Sequence, residues 1–373
     1  MGFAQGSPHR SVLCHAHPSA SRDVHQIVGP PGPLIFTIAT CITMVMFLQV
    51  ARSWPRLVQH IAATEELEPS FNRLLINKCN ITCIIVLVLA FLELILSMLS
   101  AFAGAMVCQT DKALYEGFVT HFFPWVFNEL PYSVYLGVMT QFLHFQSTLI
   151  GNFSDLFVMC MSYYLTARLE HINAKLLAAQ GKYLPEIFWR TIRQDYCRIT
   201  QLVRRVDEVI SGIVLISFAS NLFFICLQLY NTLENGIKGT GECSGRFSNS
   251  SLLGGSEAAV YFLFSLVYLI ARSVAVSMIA SQINIASLVP ARVLYAVPSP
   301  VYCVEVQRLL DQVHGDTVAL TGLQFFSITR TLLLTIAGTI VTYELVMFQF
   351  TTPSFLAATI SPTITTSAVI AVA

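Results

Sequence analysis

The stretch TYELVMFQF, residues 342–350, closes the last long apolar segment of the chain and holds its most informative polar residues. That segment, 325–350, exceeds the ~20 helical residues needed to cross the hydrocarbon core of a bilayer. Polar groups are costly inside a membrane and usually mark a functional or packing role. Glu344 and Gln349 are therefore expected to have a role in helix packing or in function.

Composition places the chain in a membrane. Of its 373 residues, 55% are hydrophobic and only 11% are charged, and the mean hydropathy is +0.66. A soluble domain carries about 25% charged residues, so this chain has too few to cover a water-facing surface. The 21 basic residues equal the 21 acidic ones, and nothing in this balance favours a nucleic-acid partner. The ten cysteines show no CxxC or zinc spacing, so neither a metal nor a cofactor is predicted.

The long apolar segments predict an all-α integral membrane protein. Six segments reach membrane-spanning length: 34–51, 80–107, 134–165, 210–231, 257–280 and 325–350. Residues 1–33 hold four histidines and the sequence GPPGP but no apolar core of a signal peptide.

Charge distribution sets the expected orientation. Of the Lys and Arg residues, 14 lie in the connections 52–79, 166–209 and 281–324, and five lie on the other side of the membrane. The positive-inside bias therefore predicts that these three connections are cytoplasmic and that both chain ends are outside. Asn249 begins a glycosylation triplet in the loop 232–256, which this topology also places outside.

The connection 166–209 is expected to be helical rather than irregular. Apolar residues recur at helical spacing on both sides of a break marked by Gly181 and Pro185. The flanking spans should therefore continue as helices beyond the membrane and form a base on which chains could pack.

The TYELVMFQF stretch matches the TY–QF signature of insect gustatory receptors, and its TYE resembles their sugar-receptor branch. Further stretches resemble that branch in the same order, so that the resemblance covers about residues 40–350. They are FLQVARSWPRL at 47–57, FLEL at 91–94, FSDLFVMCMSYYLTARLEHIN at 153–173, VDEVISGIVLISFASNLFFICLQL at 206–229, and ALTGLQFFSITRTLLLTIAGTIVTYEL at 319–345.

The resemblance implies a seven-span plasma-membrane protein that works as a tetrameric ligand-gated cation channel, related to insect odorant receptors. It also implies a cytoplasmic N-terminus and an extracellular C-terminus. The C-terminus agrees with the charge distribution, whereas the N-terminus does not. We therefore expect the family's first helix to be missing, with an atypical segment 1–33 in its place and an atypical tail at 351–373.

Sugar recognition requires hydrogen-bonding groups in a mostly apolar cleft. The predicted ligand-binding residues are polar or aromatic positions within the spans: Glu93, Asn152, Asp155, Asn221 and Tyr261. Glu93 matches a Glu of the sugar branch, although Leu94 replaces the expected His. Asn152 and Asp155 lie one helical turn apart and could clamp neighbouring hydroxyls. The alternatives are hydrogen bonds between helices and, for Tyr261, a place in the aromatic belt of the membrane.

The last span, 325–350, is predicted to line the pore. One helical face carries Thr335, Thr339, Thr342, Val346 and Gln349. Small hydroxyl groups can line a wet pore, and the alternative is close packing of helices through small residues. The resemblance implies that Gln349 and Phe350 form the gate.

The expected function is a sugar-sensing gustatory receptor acting as a non-selective cation channel in taste neurons. Residues 34–324 would then form the ligand-binding helices and base, in a homo- or heterotetramer of related receptors surrounded by membrane lipid. Two alternatives remain open: a chemoreceptor that couples to G proteins, and a sugar transporter. The sequence contains no HExxH, GxSxG or P-loop motif, so nothing in it suggests an enzyme.

Overall fold

The computed structural model describes residues 31–67, 73–108, 113–235 and 257–359, and within the last helix it describes side chains as far as Val346. The helices are α1 Pro31–Leu67, α2 Arg73–Cys108, α3 Leu114–Phe122, α4 Pro124–Phe127, α5 Val134–Ala179, α6 Glu186–Asn235, α7 Glu257–Tyr295, α8 Val304–Gly315 and α9 Arg330–Thr359. A short 3₁₀ turn spans Ser299–Val301, and strands β1 Thr321–Gly322 and β2 Phe326–Ser327 pair antiparallel before α9.

Four of the described helices, α1, α2, α6 and α7, are long and apolar enough to cross a membrane. The other two predicted spans, 134–165 and 325–350, lie largely in the long helices α5 and α9. The observed α9 begins at Arg330 rather than at 325, because the preceding residues form the hairpin, and it continues past 350 to Thr359. The six-span count stays a prediction.

The predicted helical continuations are confirmed. Helix α5 runs unbroken to Ala179 and α6 begins at Glu186, with Gly181 in the left-handed region at φ 76° between them. Glycine adopts this conformation without steric cost, which explains why the chain reverses here. Both helices therefore extend well beyond the predicted spans.

A unit with a well-buried interior, which we call the helical base, is formed by residues 166–209 and 281–328. Its interior is apolar and almost completely buried, and includes Leu169, Ile172, Leu176, Trp189, Ile199, Val206, Ile283, Leu294, Leu309 and Leu320. Ion pairs lie around this interior, among them Arg193–Glu305 at 2.6 Å and Arg204–Asp316 at 2.7 Å. The helices above the base instead expose many large apolar side chains, as expected of surfaces that face lipid.

The long helices pack as a bundle in which α5 and α7 share the most extensive contact. Helix α5 also packs on α1, α2 and α6, whereas α9 packs on α6 and α7. A Cβ at Gly212 of α6 would lie 2.9 Å from the sulfur of Met46, so the absence of a side chain there lets α1 approach α6 closely.

Candidate functional site: two polar clusters above the base

Polar side chains from three helices meet where α5, α6 and α7 cross, and we call this group the ion-pair cluster. It comprises Asn152 and Asp155 of α5, Asn221 of α6, and Tyr268 and Arg272 of α7. The Nε of Arg272 lies 2.8 Å from a carboxylate oxygen of Asp155, and its two Nη groups donate to the side-chain oxygens of Asn152 and Asn221. The fold therefore brings together three of the five predicted ligand residues, Asn152, Asp155 and Asn221.

Both carboxylate oxygens of Asp155 have protein partners. Ser217 of α6 donates to one oxygen, and the Asn221 amide donates to the other over 3.2 Å. The Arg272 guanidinium pairs with that second oxygen as a charge, while its Nε makes no hydrogen bond to the described residues. Asp155 is only 1% exposed. In this arrangement Asp155 joins α5 to α6 and α7, which is the interhelical alternative for this residue.

Arg272 does not do what an arginine toward the end of a span commonly does, which is to extend its charged group to the aqueous edge. It is instead 11% exposed and pairs with Asp155 inside the bundle. A buried guanidinium is stable only with a matching anion and hydrogen-bond acceptors, and α5 and α6 supply both.

A second group, the outer cluster, lies on the same face of α7, nearer its N-terminal end. It comprises Glu93 of α2, Gln228 of α6, and Tyr261 and Ser265 of α7. The Ser265 hydroxyl donates to Glu93 over 2.7 Å, and the Gln228 amide lies 3.2 Å from the Ser265 oxygen. Tyr261 lies beside Glu93 and Ser265. Since Ser265 precedes Arg272 by seven residues, the clusters are about 10 Å apart along α7.

The outer part of the bundle holds buried hydrogen-bond acceptors that lack donors. The side-chain oxygens of Gln228 and Gln141 are both inaccessible and have no hydrogen-bond partner among the described residues. Gln141 also lines a cavity of about 360 Å³ between α2, α3 and α5, together with aromatic rings that include Tyr115 and Phe142. Unsatisfied buried acceptors are rare in native proteins, and a ligand rich in hydroxyl groups would satisfy them.

Helix α6 connects these clusters to the hairpin that precedes α9. The Asp207 carboxylate accepts hydrogen bonds from the Thr321 backbone amide at 2.6 Å and from its hydroxyl at 2.7 Å. Burial raises the pKa of Asp207, and the two bonds from Thr321 partly offset this effect. Further along α6, the Phe218 ring packs against Phe326 of the hairpin with centroids 5.7 Å apart.

On α9, the predicted pore face points away from the rest of the chain. Thr339, Thr342 and Val346 are exposed, and each threonine hydroxyl donates to a carbonyl of its own helix. The side chains of the predicted gate, Gln349 and Phe350, lie outside the described residues, as does the predicted glycosylation site Asn249.

Sequence reasoning missed several participants, among them Gln141, Ser217, Gln228 and Ser265. A partial signal existed on α7, because Ser265 and Arg272 lie seven residues apart, as do the two tyrosines 261 and 268. All four positions therefore share one helical face. No comparable pattern marks Gln141 or Gln228, whose importance depends on which neighbours reach them.

The helices and their buried polar clusters define a multi-pass, all-α membrane protein. The chain belongs to the trehalose receptor family, whose family model matches residues 26–358, and thus to the insect sugar gustatory receptors. The gustatory receptor for sugar taste 64f of Drosophila melanogaster is 34% identical over 323 residues, covering 85% of this chain and 65% of the relative. The gustatory receptor 5a for trehalose of the same species is 34% identical over 339 residues, covering 89% and 72%.

Solved structures agree with this fold. The insect olfactory receptor OR5 from Machilis hrabei superposes with a TM-score of 0.57 at 14% identity, covering 89% of this chain and 82% of that one. Its complex with eugenol superposes with a TM-score of 0.53 at 14% identity, covering 84% and 79%.

Proposed function

We propose that the chain is a sugar chemoreceptor of the plasma membrane whose ligand binds in the outer part of the helix bundle. The observation that carries this proposal is a pair of buried amide oxygens, Gln141 on α5 and Gln228 on α6, that have no hydrogen-bond partner among the described residues. Gln228 belongs to the same outer cluster as Glu93. Sugar hydroxyls are donors that such acceptors need, and the aromatic rings beside Gln141 suit the apolar face of a sugar ring. Relatives named for sugar taste and for trehalose support the same ligand class.

Within this proposal the two clusters have different tasks. Glu93 and Tyr261, with Gln228, contact the sugar directly. Asn152, Asp155 and Asn221, whose polar atoms already bond to protein groups, sit one layer deeper and hold α5, α6 and α7 in register. A sugar that rearranges the outer cluster therefore acts on the same α6 and α7 that the ion-pair cluster ties together.

The proposed output is a cation current through a tetramer in which α9 lines the pore. Helix α6 is the connection, because it carries Gln228, Asn221 and Asp207 along one continuous helix and holds the hairpin at the start of α9. Thr339, Thr342 and Val346 face the pore, and Gln349 with Phe350 closes it at the extracellular end. Sugar opens the channel only if it binds the open state more tightly than the closed state.

The test is to purify the full chain, place it in planar lipid bilayers and record current while adding trehalose, sucrose, maltose and glucose. We expect at least one sugar to evoke a cation current without other proteins. Glu93→Gln should raise the half-maximal sugar concentration by about tenfold or more, because it removes a charged acceptor. The exposed Glu129→Gln is the matched control and should leave that concentration unchanged.

Other outcomes identify the rival functions. A response that appears in cells but never in bilayers of purified protein would favour a G-protein-coupled mechanism. Uptake of radiolabelled sugar into proteoliposomes without current would identify a transporter. A current that Glu93→Gln and Glu129→Gln affect equally would remove the outer cluster from the binding site.

A further inference from the structure

A second cavity, separate from the outer cluster, lies between α6, α7 and the last helix α9. Its volume is about 240 Å³. The lining includes Leu222 and Ile225 of α6, Ser273 and Ser277 of α7, and Ile336 and Ile340 of α9. The third polar lining residue, Asn221, is already bonded to Asp155 and Arg272, and both serine hydroxyls donate to carbonyls of their own helix, so these groups offer little to a ligand. The wall of this cavity is therefore almost entirely hydrocarbon.

One carboxylate lies next to this apolar wall. The lining residues Leu333, Ala337 and Ile340 of α9 are followed by Glu344 at steps of four, three and four, which places all of them on one helical face. Both carboxylate oxygens of Glu344 are inaccessible and have no hydrogen-bond partner among the described residues. The Cys226 thiol of α6 lies near this carboxylate, and its helix neighbours Ile225 and Leu229 line the cavity.

A buried carboxylate without a partner is energetically costly, and a cation with an apolar body would relieve that cost while filling the cavity. We propose that the cavity between α6, α7 and α9 binds small lipophilic amines, with the ammonium group paired to Glu344 and the hydrocarbon chain among Ile225, Ile336 and Ile340. Lining residues such as Ile270 and Val341 are exposed at the surface of the bundle, which gives the amine a route from the membrane.

This site is independent of sugar recognition but has a direct path to the channel. Helix α9 forms one wall, so an amine that fits one position of α9 better than another shifts the population of those positions. Lipophilic amines would then modulate the response to sugar without competing for the outer cluster.

The binding test compares n-hexylamine with n-hexanol, which differ mainly in charge, by calorimetric titration of the purified full chain in detergent micelles. Titration into empty micelles is subtracted. We expect saturable binding of n-hexylamine, at least about tenfold tighter than that of n-hexanol, because only the amine pairs with a buried carboxylate. Equal affinity of the two probes, tighter binding of the alcohol, or no saturable binding of the amine would overturn the proposal.

Three variants locate the site. Glu344→Gln should weaken n-hexylamine by at least about tenfold and leave n-hexanol within about twofold, since it removes charge and keeps shape. Ala337→Phe should fill the cavity and weaken both probes. Leu334→Phe, on a side chain that is 74% exposed and does not line the cavity, is the matched control and should keep both affinities. Circular dichroism confirms that each variant is folded, and an unchanged amine affinity in both Glu344→Gln and Ala337→Phe would place binding elsewhere.

The amine measurement needs neither sugar nor current, so it stands apart from the test of the proposed function. If sugar evokes no current while n-hexylamine binds through Glu344, the sugar-channel proposal fails and the amine site survives. If sugar gates the channel but Glu344→Gln leaves the amine affinity unchanged, the amine-site proposal fails and the sugar-channel proposal survives.

Discussion

Helix α5 divides into two halves that show how differently the two ends of this molecule are stabilised. In its first half, Val138, Phe142 and Leu143 are each more than 50% exposed. In its second half, Leu165, Leu169 and Leu176 are at most 1% exposed. The first half depends on its surroundings, lipid or ligand, to cover its apolar side chains, whereas the second is covered by its own chain.

The two halves of α5 are therefore expected to differ in how easily they move. A base whose interior is closely covered by its own chain resists rearrangement, since protein interiors are close-packed and do not deform continuously. Helices whose outer parts carry cavities and unsatisfied acceptors have lower-cost alternative positions. Ligand-driven motion is therefore expected above the ion-pair cluster, which lies where the two halves of α5 meet.

The largest expected effect comes from breaking that cluster. Asp155→Leu should lower the free energy of unfolding by about 3–5 kcal/mol, because Arg272 would be left as an uncompensated buried charge. Denaturant titration in mixed micelles measures this change. The double variant Asp155→Leu/Arg272→Met should regain most of the loss, and a double variant as unstable as the single one would contradict the ion-pair explanation.

The contrast within α5 can be tested with one substitution at two places. Leu169→Ala in the base should lower the free energy of unfolding by about 2–5 kcal/mol, because it leaves a cavity in a closed core. Leu143→Ala in the outer half, where the side chain is 53% exposed, should change it by at most about 0.5 kcal/mol. Equal losses in the same denaturation assay would mean that the two halves are packed alike.

The next smaller effect is expected from breaking the attachment of the hairpin to α6. Asp207→Ala removes both hydrogen bonds to Thr321 and should cost about 1–3 kcal/mol. It should also reduce the sugar-evoked current in bilayers, because the hairpin is the route from α6 to α9. The adjacent and exposed Glu208→Ala is the control, and a matching loss of current in both variants would argue against this route.

The smallest expected effect is the pH response of the base. The hydrogen bond from Arg193, together with Arg308, holds the pKa of Glu305 below its ordinary value of 4.5. A lowered folded-state pKa contributes stability above the unfolded pKa and loses it as pH falls through the folded value. The melting temperature should therefore fall as the pH drops below about 4.5, and it should fall less steeply in Glu305→Gln. An identical pH profile in the variant would exclude Glu305 as the source.

Much of the fold could be read from the sequence because it depends on local periodicity. The long helices, their continuation through 166–209 and the break at Gly181 all follow from apolar spacing and from one glycine. The hairpin before α9 had no such signal. Its turn places Leu323 and Gln324 at positive φ, 47° and 62°, which neither residue favours. The hydrogen bond from the Thr321 hydroxyl to Asp207 accompanies this conformation.

The candidate site was predictable only in part. Rare polar residues in apolar helices identified Glu93, Asp155 and Tyr261 as positions of interest, since membrane burial of such groups needs a reason. Their partners were not predictable, because Arg272 and Asp155 are 117 positions apart in sequence and meet only through the packing of α5 against α7.

The sequence by itself determined that this chain is a bundle of apolar helices, which of its residues are polar within them, and to which family it is similar. These properties follow from hydropathy and short motifs, which are local. The tertiary structure alone decided that both carboxylate oxygens of Asp155 are bonded, whereas the side-chain oxygens of Gln141 and Gln228 lack donors among the described residues. It also decided that the carboxylate oxygens of the half-buried Glu344 are inaccessible and have no partner in that part of the chain, beside an apolar cavity. The physical reason is that satisfaction of a buried polar group depends on neighbours brought from distant parts of the chain, which no local pattern records.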